Sequence, residues 1–164
     1  MDESIKFWSD FAKQYRKAMQ EDLSREEELL RLAAEVVEKA ERNAAEDPKT
    51  DKVLVVVVEP NKAPYKKVIS NDLDTFKDIV GGWIEHISIA ERFNGSRIGI
   101  ILNEEGKLIG LPDNRVIVGR NGVPDMFVGS FFIAAHNLEG DTVSLTLDEA
   151  ELYIKKFAPL VVQV

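Results

Sequence analysis

Lys52-Val53-Leu54-Val55-Val56-Val57-Val58-Glu59 is the segment on which the fold turns. Six apolar residues stand between two charged ones, and all but Leu54 are β-branched. A run of this length without polar alternation predicts a strand buried on both faces, hence a central strand. Pro60-Asn61-Lys62-Ala63-Pro64 then reads as a loop. A nucleotide-binding βα unit would place a glycine-rich turn directly after such a strand. The first glycine of the chain is Gly81, so the Rossmann and P-loop readings both fail. No G-x-S-x-G, H-E-x-x-H or kinase signature occurs.

Downstream of this strand, short elements alternate with turn signals. Tyr65 to Ile69 reads as a second strand. Asn71 to Val80 reads as a short helix, opened by Asn71 or Asp72 and closed by Gly81-Gly82. Trp83 to Ala90 alternates, with Trp83, Glu85, Ile87 and Ile89 on one face, and Arg97 to Leu102 is another apolar strand. Asn94-Gly95-Ser96 between them is a turn. Asn103-Glu104-Glu105-Gly106 predicts a hairpin turn with Gly106 at positive φ, and Lys107 to Leu111 the returning strand. Pro112-Asp113-Asn114-Arg115 begins a turn or short helix. Met126 to Ala135 is the most apolar strand of the second half. Thr146-Leu147-Asp148-Glu149 is a capping box that opens a helix to about Phe157. Pro159 ends that helix, and Leu160 to Val164 adds an edge strand.

Upstream, the texture changes. Residues 1–47 contain neither glycine nor proline. Ile5, Trp8, Phe11, Ala12, Tyr15, Ala18 and Met19 keep helical spacing over about Ser4 to Glu21. Ser24-Arg25-Glu26-Glu27 is a second capping box, and Leu29, Leu30, Ala33, Val36, Val37, Ala40 and Ala44 continue in one stripe to Pro48. The expectation is an α+β protein: an N-terminal helical hairpin over 1–47, then a compact domain over 52–164. The sheet of that domain is mixed or antiparallel and carries short helices.

The composition narrows the chemistry. The chain has 164 residues, no cysteine, two histidines and a net charge of −8. Disulfides and thiolate chemistry are excluded, and two histidines cannot build a multi-histidine metal centre. An acidic balance argues against general nucleic-acid binding. The opening MDESIKFWSDF has no basic region followed by an apolar stretch, so no secretory signal is expected. The longest apolar run falls far short of the ~20 residues a membrane helix needs. Together these readings predict a cytoplasmic protein without membrane association.

Candidate functional residues gather at turns. Gly81 and Gly82 read first as a helix end followed by a strand with a core tryptophan; the alternative is backbone exposed to a ligand, with Trp83 as a stacking platform. Asn103 and Lys107 on one turn, and Asn114 and Arg115 on the next, would offer carboxamides and a guanidinium to a polar or phosphorylated ligand. Glu104 and Glu105 read as solvated acids rather than metal ligands. Glu85 and His86 are adjacent on a strand and point to opposite faces, which makes them a poor acid–base pair. His136 reads as a strand-end residue, because no partnered nucleophile stands with it. No catalytic residue, metal or cofactor is expected.

These segments, in order, are Val58-Glu59-Pro60, Val80-Gly81-Gly82-Trp83-Ile84-Glu85, Asn103-Glu104-Glu105-Gly106-Lys107, Leu111-Pro112-Asp113-Asn114-Arg115 and Asp125-Met126-Phe127-Val128-Gly129-Ser130-Phe131-Phe132-Ile133. Over about residues 52–155 the chain resembles a small domain family of unknown function found in tailed phages and in mobile elements of Firmicutes. The resemblance implies a context: accessory genes that act on host defence. The expected function is a non-enzymatic accessory protein. It would counter a host defence by sequestering a small nucleotide-derived signal, or by binding a host protein through the N-terminal helices. A homo-oligomer is expected, acting in the cytoplasm of the host cell. The alternatives are a small enzyme on a nucleotide-like substrate and an oligomeric regulatory or structural module.

Overall fold

The computed structural model of the chain describes residues 3–43, 51–92 and 94–164; within the first helix, side chains are described continuously from residue 23 to 38. The chain divides into two compact units, residues 1–32 and 33–164. Helix α1 runs unbroken from Glu3 to Asn43. The expected hairpin is therefore a single helix. Ser24 can cap a helix, but nothing near it breaks one. With no glycine or proline in residues 1–47, the helix propensity of the flanking Glu, Arg and Leu residues carries the backbone through. Ala33 is fully buried, and Val37 packs beside it on the core of the larger unit. The expected Trp8, Phe11 and Tyr15 face and the stop at Pro48 lie outside the described residues.

The larger unit is built on an antiparallel sheet with strand order β2-β1-β7-β4-β3. Its strands are β1 (Lys52–Val58), β2 (Tyr65–Ser70), β3 (Ile84–Glu91), β4 (Arg97–Asn103) and β7 (Phe131–His136), and the two-residue β8 (Thr142–Val143) pairs with β7. The central position expected for β1 is found: β2 and β7 flank it, and Val53 to Val58 are all buried. Alternation then divides the run between two cores. Leu54, Val56 and Val58 pack with Phe131, Ile133 and helix α3 (Leu147–Phe157). Val53, Val55 and Val57 pack with Phe132, Ala134 and helix α2 (Leu73–Val80).

Both short helices carry the caps their sequences predict. Asp72 accepts from Thr75 N at the start of α2, and Gly81 closes it at φ 78°. Thr146 and Glu149 exchange both bonds of the capping box at α3. A second sheet, β6-β5-β9, joins α3 on the far side of the main sheet. It comprises β5 (Asp113–Val118), β6 (Pro124–Val128) and β9 (Val161–Gln163), with β9 parallel to β5.

Four expectations are corrected here. Lys107 to Leu111 is not a strand, because residues 104–110 wind through consecutive turns. Gly106 is not at positive φ; Gly110 takes that role at φ 72°, and Gly106 is wedged against Val128, Leu111 and the Asn103 carbonyl. Pro112-Asp113-Asn114-Arg115 does not turn but enters β5. Met126 to Ala135 is two strands, because Gly129 at φ 67° redirects the chain from β6 in one sheet to β7 in the other. Among the described residues no helix is long and apolar enough to cross a membrane.

Candidate functional site

The residues expected to hold a ligand form two joints in the frame. Asn103, 4% exposed, donates from Nδ2 to the Val80 carbonyl at 3.3 Å and accepts from Glu105 N at 2.9 Å. It ties the C-terminus of α2 to the end of β4. Gly82 must be glycine for this contact, since a Cβ there would lie 2.6 Å from Asn103 Nδ2. Gly81 supplies the left-handed cap, and Trp83 accepts from Glu104 N at 2.8 Å through its carbonyl. The Trp83 side chain is 61% exposed, with Lys77 Nζ 3.3 Å above its ring, so it is no core tryptophan.

The second joint is Asn114 and Arg115, both buried. Asn114 Nδ2 donates to the carbonyls of Val58 and Gly129 at 3.0 and 2.7 Å. Arg115 donates from Nε to the Phe157 carbonyl at 2.9 Å, from Nη2 to the Lys62 carbonyl at 2.8 Å and from Nη1 to Asn114 Oδ1 at 2.8 Å. This guanidinium clamps the 59–64 loop and the end of α3 onto β5, where a cation also meets the negative end of the helix. No hydrogen bond joins Asn103 to Asn114 or Arg115 among the described residues. Lys107 pairs with Asp125 in the open, fixing the 104–110 turns to β6.

A different site appears on the α2 face of the main sheet. At eight residues, α2 is about 12 Å long and cannot cover five strands. Beyond its end lies a cleft of about 530 Å³, lined by Phe76, Ile84, His86, Arg97, Ile101, His136, Asn137, Gly140 and Thr142 among others. Both histidines of the chain meet here. His86 on β3 sits opposite Ile101 of β4, and His136 on β7 opposite Arg97 of β4, so β4 lies between them. Gly99 of β4 leaves the gap that lets the rings touch. A Cβ there would stand 1.9 Å from His86 Nε2. The imidazoles pack edge to face with centroids 4.1 Å apart.

Burial disfavours the charged form of both rings. Burial, then His86, pushes the His136 pKa down to about 4, while the nearby Gly140 backbone works the other way. Burial and then Arg97 lower that of His86. Two buried polar atoms in this corner have no hydrogen-bond partner: His136 Nε2 and Asn137 Nδ2. Such atoms are costly, at roughly 1–3 kcal/mol each, and mark places where a ligand or water completes the structure. A neutral imidazole and a carboxamide bind hydrogen-bonding ligands. Among the described residues no three histidine, aspartate or glutamate side chains cluster to hold a metal.

Sequence reasoning missed this pairing because 50 positions separate the two histidines. The available signal was Gly99 within Arg97-Ile98-Gly99-Ile100-Ile101, since a glycine inside a strand marks a close approach.

The family model described as Domain of unknown function (DUF3846) matches residues 52–158, well over half of the chain. No curated protein and no solved structure matches it.

Proposed function

We propose that this chain, which belongs to the DUF3846 family, is a non-enzymatic binding protein that holds a small nucleotide-derived ligand in the histidine cleft. The observation that carries the reading is the cleft of about 530 Å³ lined by both histidines, with a buried polar atom left unpartnered on each of the lining residues His136 and Asn137. That volume lies within the range of small-molecule sites. Apolar walls from Phe76, Ile84 and Ile101 suit a flat ring, and exposed Arg97 at the rim suits a phosphate. The described lining residues include no carboxylate to orient a histidine as a base, which suits holding rather than turnover. The cellular role we propose is that of a phage or mobile-element accessory protein that counters a host defence by withholding such a signal.

A second reading is favoured by one surface. Trp83 at 61% exposed, with Leu108 at 88% and Ile109 at 58%, is the kind of exposed apolar anchor that docks on a host protein.

Native mass spectrometry of the purified chain with a panel of nucleoside monophosphates tests the first reading. The expected result is a complex with one ligand per chain, weakened in Arg97→Gln and lost in His136→Phe. Binding to none of the panel by the folded wild type would remove it. The same spectra read the oligomeric state.

A further inference from the structure

We infer that the chain associates with a second copy of itself through the free edge of β3, the two β3 strands pairing antiparallel about His86 so that one sheet runs through both copies. This inference goes beyond the reading of the histidine cleft and stands or falls without it.

β3 ends the strand order of the main sheet and, among the described residues, pairs with β4 alone. The ladder shows which of its backbone groups that leaves open. Glu104 N donates to the Trp83 carbonyl at 2.8 Å at one end, and Arg92 N donates to the Ser96 carbonyl at 2.7 Å at the other. Even-numbered residues from Ser96 to Glu104 therefore bond toward β3, on both sides of the register shift between Ser88 and Ala90. Glu85 and Ile87, opposite Leu102 and Ile100, spend their backbone groups on β4. Those of Ile84, His86 and Ser88 point outward, and no described turn or loop bonds to them. His86 and Ser88 are exposed and Ile84 is half-buried, so this row is open to a partner. The opposite edge is guarded: β2 carries Lys66 and Lys67, whereas β3 has neither lysine nor proline.

Register selects a second copy. Outward residues must pair with outward residues. With His86 opposite His86, Ile84 meets Ser88 on either side, every open residue is used, and Glu85 faces Ile87. Moving the centre one step toward Ile84 sets Glu85 against Glu85, a like-charge pair. Moving it toward Ser88 runs the pairing into the register shift. The strand is thus complementary to itself in one register. Directly opposed residues share a face. The second copy's His86 therefore stands beside this His86 at the histidine cleft. Its Glu85 and Ile87 extend the other face, where Ile87, Ile89 and Ala90 line a cleft of about 500 Å³ together with Ile117 and Phe127 of the second sheet.

Sedimentation of the full chain tests this at physiological ionic strength, where the −8 charge of each copy is screened. A dimer is expected at sub-millimolar concentration. Ser88→Pro deletes an outward N–H from each copy and no bond to β4, and is expected to be monomeric with unchanged helix and strand content. The chain has no cysteine, so single cysteines read the register. In the pairing about His86, the two His86 positions stand about 5.5 Å apart, within disulfide reach, and the two Ser88 positions about 14 Å apart. Mild oxidation is expected to crosslink His86→Cys into a covalent dimer and to leave Ser88→Cys uncrosslinked. If Ser88→Pro does not fold, the two cysteine variants decide alone. A monomeric wild type, a dimer that persists in folded Ser88→Pro, or equal crosslinking of the two cysteine variants would overturn the pairing.

Discussion

Gly99 is the smallest residue of the main sheet and one of the most constrained. His86 occupies the space its side chain would take. Gly99→Ala is expected to expel the His86 ring from its place against His136, at a cost of about 1–3 kcal/mol, the usual range for an overpacked core. Urea denaturation measures this; an unchanged midpoint would mean that His86 does not lie across β4. His136 sets a pH dependence with a definite sign. Its pKa falls from about 6.5 in an unfolded chain to about 4 in the fold, so below pH 6.5 the unfolded state takes up a proton that the folded state refuses. Stability is therefore complete above that pH, drops by up to about 3 kcal/mol as pH falls toward 4, and flattens below. Burial is the main cause; His86 and Arg92 push in the same direction, and the Gly140 backbone opposes them. The difference between wild type and His136→Phe across this window isolates the effect. At the Asn114 and Arg115 joint, Arg115→Ala is expected to lose roughly 3 kcal/mol, since several carbonyls lose a charged donor. Arg115→Lys should rescue little, because an ammonium lacks the planar fork. The sequence marked Asn103, Asn114 and Arg115 as polar turn residues that could serve a ligand. It did not show that each would be spent on the protein's own backbone, because those partners lie up to 56 positions away.

Elements were legible wherever local chemistry decides them. The limits of α2 and α3 could be read from Asp72, Gly81, Thr146 and Glu149, whose capping bonds form within a few residues. Legibility failed where two local signals compete. Ser24-Arg25-Glu26-Glu27 has the form of a cap, yet α1 passes through it. This makes Ser24→Ala informative. In a continuous helix an exposed serine replaced by alanine is neutral or stabilises by a few tenths of a kcal/mol. At a true N-cap the same change costs about 1 kcal/mol. Thermal denaturation is expected to show no loss, and a drop of several degrees would restore the hairpin. Met126 to Ala135 failed for another reason. Pattern alone cannot show that Gly129 and Ser130 pass the chain between sheets, because the apolar residues on either side serve two cores.

At the scale of the whole molecule, the central place of β1 was legible from six residues, and the α+β class followed from it. The antiparallel order β2-β1-β7-β4-β3 was not, because strand order depends on contacts distant in sequence. The functional cleft was illegible for the same reason: it needs β3, β4 and β7 side by side and α2 too short to cover them all. The described residues of the larger unit form a well-tied frame with a corner left incomplete. Its expected ligand joints are closed upon themselves, and among the described residues the two buried polar atoms without a partner belong to His136 and Asn137, which line the histidine cleft. The most direct measurement follows the two histidine side chains by ¹⁵N spectroscopy while adenosine and uridine monophosphates are added to the full chain. A saturable shift of the His136 Nε2 signal is the predicted result. Saturable binding that leaves both histidine signals in place, or no binding at all, would contradict the assignment of this cleft as the site.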